Sequence, residues 1–332
     1  MAYKSYSYML EDCNASGMKF GDTLSEDAYS GYEFDYIISN PPFGIDWKRE
    51  KNEVEKEAKL GYDGRFGPGL PAISDGQMLF MLNGVKKLKE NAGRMAIIQN
   101  GSSLFTGDAG SGASEIRRYL IDGDLVEAIV QLPTDLFYNT GISTYIWLIS
   151  KNKAPNRVGK VQLIDASKCF VKRRKNIGSK RVDLDDTCIN LILKAYEGFE
   201  NEIYENNDLV VESKVFGNDF FGFTKVTVET AQADDNGKPV LKKGKKQPVK
   251  GATDTEIIPL QEDIDAYIEM NVLPYNPLAY VDSTKDKIGY EVPFTRLFYK
   301  FEAPKPSNEI FEEIKELEAE ETILMKELFG NA

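Results

Sequence analysis

Residues 34–44 read Phe-Asp-Tyr-Ile-Ile-Ser-Asn-Pro-Pro-Phe-Gly, an aliphatic run that ends abruptly in an amide, two prolines and an aromatic. Ile37 and Ile38 predict a strand buried on both faces. Pro41 and Pro42 have no N–H to give a sheet, so the strand must stop at Asn40 and a loop must begin there. Asn40 and Phe43 therefore fall at the carboxyl end of a strand, the side on which open α/β sheets bind ligands. The rest of the chain has to fold around a strand that ends this way.

The segments that follow supply such a sheet. Arg94–Gln99, Leu125–Leu132, Thr144–Ile149 and Val161–Ile164 are further short apolar runs of strand type. Between them, Met78, Leu79, Leu82, Val85 and Leu88 keep helical spacing, with Ser74 as the expected cap and Asn91-Ala92-Gly93 as the stop. A glycine-rich loop, Gly101 to Gly112, leads to a helix expected to be capped by Ser114. This alternation from residue 34 to about 165 predicts a doubly wound parallel sheet, a Rossmann-like α/β fold. Upstream, residues 3–13 read as a short helix, Met18–Phe20 as a brief strand and Gly21–Leu24 as a turn. Residues 46–63 are charged and partly helical, and Gly61–Ser74, rich in glycine and proline, reads as a long loop.

Beyond residue 165 the composition changes. Lys168 to Arg181 holds seven basic residues and no acid. A helix is expected at about 184–198, and the lysine-rich Ala231–Thr255 reads as a mobile hairpin or loop. The last segment, Ser307–Phe329, is a long helix with Ile310, Ile314, Leu317, Leu324 and Leu328 on one stripe, interrupted by Glu321. The expected divisions are a catalytic part at 1–165, a basic extension at 166–256 and a C-terminal segment at 257–332.

Composition removes whole classes of chemistry. The 332 residues include no histidine, which excludes Ser-His-Asp and Cys-His nucleophilic sites and histidine-containing zinc sites. The three cysteines are far apart and suggest no disulfide framework or metal site. A net charge of −12 argues against a free-standing, non-specific nucleic-acid binder, but leaves room for a local basic stripe. No apolar run approaches the roughly 20 residues of a membrane span, which points to the cytoplasm.

A strand end of this kind suits one reaction. An adenine N6 amine is a poor nucleophile because its lone pair is delocalised into the ring. Two acceptors near its N–H bonds, the Asn40 side-chain oxygen and the Pro41 carbonyl, would turn that lone pair toward an electrophile. Proline fixes where its carbonyl points, and Phe43 offers a flat face to a base that has left its stack. Neither a metal nor a covalent intermediate is needed.

Asn40-Pro41-Pro42-Phe43 resembles the (Asn/Asp)-Pro-Pro-(Tyr/Phe) signature of amino-methyltransferases, in the Asn form typical of N6-adenine DNA methylation. Arg65–Pro71, Phe105–Gly112, Glu115–Arg118, Leu136–Thr144, Lys160–Ala166 and Lys287–Glu291 are similar to the modification subunit of type I restriction–modification systems. The resemblance implies an S-adenosylmethionine-dependent methyltransferase sheet, acting on a flipped adenine in double-stranded DNA. It further implies a specificity subunit and a restriction subunit as partners; no membrane is involved.

Carried over by residue, Asn40, Pro41, Pro42 and Phe43 would hold the adenine, and Asp22 would join Asn40 on the cofactor side. Asn139, Thr140 and Gly141 would lie near the target base, and Lys168, Lys172, Arg173, Arg174 and Lys175 would meet phosphates. Gly107–Gly112 offers amides ahead of a helix, a further phosphate contact. The terminal helix would dock to the specificity subunit. One departure stands out: only 33 residues precede Phe34, and they hold no G-x-G turn for the cofactor. The chain is thus expected to correspond to the C-terminal portion of such a subunit, lacking the first strands of the sheet and a complete cofactor pocket. The alternative reading is an inactive interaction module that keeps only partner contacts.

Overall fold

In the computed structural model, which describes residues 17, 19–301 and 303–330, strand β1 (Tyr36–Ser39) stops just ahead of Pro41. It pairs in parallel with β2 (Arg94–Asn100), Tyr36 facing Arg94 and Ser39 facing Ile97. The helix expected at residues 3–13 lies outside the described residues, and of the brief strand at Met18–Phe20 the described Lys19 and Phe20 are irregular.

The sheet continues with β3 (Val126–Gln131), β4 (Thr144–Ser150) and β5 (Lys160–Lys168). A hairpin of β6 (Val171–Ile177) and β7 (Lys180–Asp183) is paired separately. The far edge is closed by β8 (Glu202–Asn206) and β9 (Leu209–Gly217), giving the order β1-β2-β4-β3-β5-β9-β8. The fold is Rossmann-like α/β, but the sheet is mixed rather than parallel throughout. β4 runs antiparallel to both β2 and β3, and β9 runs antiparallel to β5 and β8. The cause is local: residues 132–143 contain no helix, and a parallel return needs a long crossover.

Five helices accompany this sheet: α1 (Lys51–Ala58), α2 (Gln77–Lys86), α3 (Ser102–Phe105), α4 (Gly112–Asp122) and α5 (Asp186–Gly198). α2 lies against Met95 so closely that a Cβ on Gly84 would stand 2.3 Å from its sulfur. On the other face, Cys188, Leu191 and Ala195 of α5 pack with Val130 and Ile164. β1 is not buried on both faces as its sequence predicted, for Tyr36 is 75% and Ile38 91% exposed. It is an edge strand, and among the described residues α5 reaches the middle of the sheet but nothing covers that side of β1.

Two caps also differ from expectation. α2 starts after Gly76, which has no side chain to cap it, so Ser74 lies outside the helix end; Asp75 accepts the Gln77 amide at 3.3 Å and bonds from the Gln77 and Ser102 side chains. α4 is capped by Ser111, while the Ser114 hydroxyl accepts the Tyr290 amide.

A second, antiparallel sheet is built from four strands, β10 (Gly222–Ala231), β13 (Pro248–Pro259), β14 (Ala279–Val281) and β15 (Lys287–Tyr290), while β11 (Leu241–Lys242) and β12 (Lys245–Lys246) form a separate two-stranded ribbon. The sheet's core joins Val226, Val228 and Ile258 to Ile268 of α6 (Ile264–Asn271). Ala231–Thr255, expected as a mobile hairpin or loop, forms hairpins, with β13 running along β10 and β11 paired with β12. The chain divides into two units, Met1–Phe294 and Thr295–Ala332. α7 (Phe294–Phe298) falls at that division, and the second unit holds α8 (Ser307–Phe329), which has no buried residue.

Candidate active site

Four loops leave the same edge of the large sheet. β1 and β2 end there because they are parallel, and β4 begins there because it is reversed, Thr144 standing opposite Asn100. β5 runs beside β3 with Asp165 opposite Gln131, so the β6–β7 hairpin that follows issues from this edge as well.

Asn40 is exposed and forms no side-chain hydrogen bond among the described residues. Pro41 beneath it is buried, Pro42 is exposed and Phe43 is half-buried. The Phe43 ring meets Phe137 edge to face, with centroids 6.4 Å apart and planes at 88°. Gly44 follows at φ +63°, a left-handed turn that glycine takes without strain. Downstream the loop is anchored: Ile45 accepts the Gly76 amide, and the buried Trp47 indole donates to the Ala72 carbonyl at 3.0 Å.

Phe137 introduces the residues expected near a target base. It is bridged to Thr140, which brings Asn139, Thr140 and Gly141 beside the aromatic pair. Asn139 and Gly141 are exposed, and the Thr140 hydroxyl accepts the Ile142 amide at 3.3 Å. A Cβ on Gly141 would lie 2.6 Å from the Asp135 carboxylate, which would have to turn aside to admit it. The loop is buttressed by the basic hairpin: Ser179 donates to the Tyr138 carbonyl at 3.0 Å and Arg181 to the Asp135 carbonyl at 2.8 Å.

Lys172, Arg174 and Lys175 are exposed on that hairpin and form no ion pair among the described residues. Lys168 is exposed at the end of β5. Arg173 differs, because its guanidinium is bound to Asp183 and to the Lys175 carbonyl. Sequence reasoning did not single out Phe137 or Tyr138; Lys180, inside the basic stretch it did name, has its ammonium 2.8 Å from Asp183 and 5.5 Å from the Tyr138 ring centre. Two adjacent aromatics in a loop just ahead of Asn139 were the available signal.

Asp22 is placed apart from this group. Its Oδ1 accepts the Leu24 amide at 2.9 Å and the Ser25 amide at 3.2 Å, the geometry of a turn-forming aspartate. Burial raises the neighbouring Glu50 carboxyl above its ordinary value, and the Asp22 carboxylate adds to the rise. The turn is held by Arg65, which donates to the Thr23 carbonyl at 2.7 Å, the Leu24 carbonyl at 3.0 Å and Glu57 at 2.7 Å. Burial works to raise Glu57, but hydrogen bonds from Arg65 outweigh it and hold the carboxyl below its usual range. A cavity of about 600 Å³ opens beside β1, lined by Tyr29, Phe34, Tyr36, Ile38, Pro41 and Lys87 among others, but by neither Asp22 nor Asn40.

Three amides of the glycine-rich loop after β2 are taken up within the protein. Gly110 donates to Ile288, Ala109 and Ser111 donate to Asp108, and the Asp108 carboxylate holds Lys225 at 2.8 Å. Gly112 touches the Leu70 carbonyl, where a Cβ would stand at 1.8 Å. Arg117, fully buried, donates to the Tyr290 carbonyl at 2.5 Å and to those of Ser103 and Thr106 at 3.2 and 3.0 Å. Three stretches distant in sequence, 65–71, 101–117 and 287–291, are one packed junction.

Comparison with known proteins bears on this arrangement. Residues 6–236 match the N-6 DNA Methylase family. The type I restriction enzyme MjaIX methylase subunit of Methanocaldococcus jannaschii is 28% identical over 229 residues, 68% of this chain and 37% of that protein. The HindI methylase subunit of Haemophilus influenzae is 28% identical over 248 residues, 73% of this chain and 51% of that protein. The chain thus spans about half, or less, of the length of these relatives. Among solved structures, the methyltransferase subunit of a type I restriction-modification system from Streptococcus thermophilus is 27% identical, with 60% of this chain and 38% of that one aligned at a TM-score of 0.48.

Proposed function

The chain belongs to the N-6 DNA methylase family, and from that membership we propose that it serves as the modification part of a type I restriction–modification enzyme, methylating adenine N6 in DNA. The observation that carries this reading is Asn40: a polar side chain at a strand end, exposed and without a hydrogen-bond partner among the described residues, beside an aromatic pair. Such a group is available to a ligand.

In this reading a flipped adenine lies against Phe43, with Phe137 behind it. The Asn40 side-chain oxygen and the Pro41 carbonyl accept the two N6 hydrogens and localise the lone pair on nitrogen. Asn139 and Thr140 border the base, while Lys168, Lys172, Arg174 and Lys175 meet phosphates nearby. Arg173 is a support for the hairpin, its charge satisfied by Asp183.

S-adenosylmethionine, the donor implied by the family resemblance, would bring an electrophilic methyl group to the amine. The described residues do not compose a full pocket for it. The Asp27–Lys87 pair in the cavity beside β1 is closed on itself at 2.6 Å, and Asp22 is occupied by its own turn. We assign to this chain the base-holding half of the site. α8, whose Ile310, Ile314, Leu317, Leu324 and Leu328 are all exposed, is assigned to docking against helices of a specificity subunit.

The test is methyl transfer from labelled S-adenosylmethionine to DNA by the assembled modification complex containing this chain. Asn40→Ala should reduce transfer by about 10²–10³-fold, the scale of losing one oriented polar group at a reacting centre. Assembly should be unchanged. Retained transfer would exclude Asn40 from the chemistry.

A further inference from the structure

The β11–β12 ribbon concentrates charge in a way its own fold does not reward. Leu241 pairs with Lys246 and Lys242 with Lys245, joined by a two-residue turn at Lys243 and Gly244. Lys242 and Lys245 stand directly opposite one another, and like charges so placed destabilise a ladder. Lys243 sits at φ +51° and Gly244 at φ +76°, so the first turn position asks for asparagine or glycine and holds a lysine. Lys242, Lys243 and Lys245 are exposed and have no ion-pair partner among the described residues. Lys246 alone has an internal neighbour, its ammonium lying 5.2 Å from the Tyr280 ring centre. The adjoining turn carries Asp234 and Asp235, but Asp234 is engaged by the Asn236 and Lys238 amides at 2.9 and 2.8 Å.

We propose that this ribbon is a second contact with duplex DNA, gripping the phosphates on either side of a major groove. A two-stranded ribbon is one of the few elements that groove admits. Lysines on both strands and at the turn address phosphates on both walls, whereas a flat anionic surface would meet only some of them. The choice of DNA as the polyanion rests on the function proposed above; the location, outside the Asn40 edge and its basic hairpin, does not.

The experiment is anisotropy of a labelled duplex titrated with the full chain at several salt concentrations. Replacing Lys242, Lys243 and Lys245 together with alanine should weaken binding at least about tenfold and flatten the log–log salt slope by about 2–3, since each lost phosphate contact removes roughly 0.9. Lys243→Gly separates binding from folding, because it should raise the melting temperature slightly while weakening DNA binding. Unchanged affinity and slope in the triple variant would overturn the proposal. So would absence of duplex binding by the unaltered chain at low salt, or equal binding to phosphatidylserine vesicles. If replacing Lys172, Arg174 and Lys175 abolishes binding while the ribbon variant does not, the ribbon is excluded and the DNA reading survives. The methyl-transfer assay judges that reading separately.

Discussion

Two loops leave neighbouring strands at one edge of the sheet, and they have opposite characters. After β1, Asn40 is exposed with its amide unengaged, above a buried proline and beside a pair of rings. After β2, the stretch 101–112 is engaged by other parts of the same chain: the Gly110 amide is given to Ile288, Ala109 and Ser111 donate to Asp108, and Gly112 is pressed on Leu70. Both sequences suggest a ligand, one by its Asn-Pro-Pro-Phe and the other by its glycines. What separates them is whether the polar groups are already bonded within the protein. Glycine richness marks close approach of backbone, which a neighbouring strand satisfies as well as a phosphate does.

The comparison is broken most sharply at Gly112. A Cβ there would meet the Leu70 carbonyl at 1.8 Å, a backbone clash that no side-chain rotation relieves. Gly112→Ala should cost about 3 kcal/mol or more and lower the melting temperature by at least roughly 5 °C. A variant that melts like the wild type would show that the loop after β2 has slack, and the distinction between the two loops would fail. A smaller effect falls on the other loop. Phe137→Ala removes the ring behind Phe43 and should reduce methyl transfer in the assembled complex about fivefold, on the scale of an aromatic contact of about 1 kcal/mol. Some stability should be lost as well, because Phe137 packs against the core beneath α5, so transfer is compared at a temperature where both variants are folded.

The smallest effect sharpens the comparison by pH. Burial raises and Arg65 lowers the Glu57 carboxyl, the net being a folded value below its ordinary 4.5. A carboxyl held low contributes stability above its unfolded value and loses it as pH falls through the folded one. Glu57→Gln should therefore melt earlier than wild type at pH 7, with the gap narrowing as the pH falls below 4.5. A gap that persists at low pH would mean that Arg65 holds the Asp22 turn without needing the Glu57 charge.

Strand and helix alternation from 34 to about 165, the helix near 184–198 and the span of α8 were legible from hydrophobic spacing, whereas the β6–β7 hairpin and the second sheet were not. The reversal of β4 was less so, since Thr144–Ile149 has the same apolar character whichever way it runs. Its direction is set by the short, helix-free connection before it, a negative feature easily passed over. The exposure of Ile38 was illegible because a run of isoleucine says that a face can be buried, not what is present to cover it. At the candidate site, Asn40 and Phe43 were singled out by motif chemistry and Asn139–Gly141 by the family resemblance; the structure brings the two loops together through Phe43 and Phe137. The part played by Phe137 and the internal use of Arg173 depend on pairings between distant segments, which no local pattern encodes.

The position of β4 has a consequence for how the chain is made. It lies between β2 and β3 although it follows both in sequence. During synthesis β2 and β3 therefore emerge first with no common partner, and the nascent sheet consists of two pieces with raw edges until residues 144–150 appear. Trp147, fully buried in the finished protein, is among the residues that join them. A ribosome that stalls before this point leaves two unpaired strand edges open to neighbouring chains, the state in which β proteins most readily aggregate.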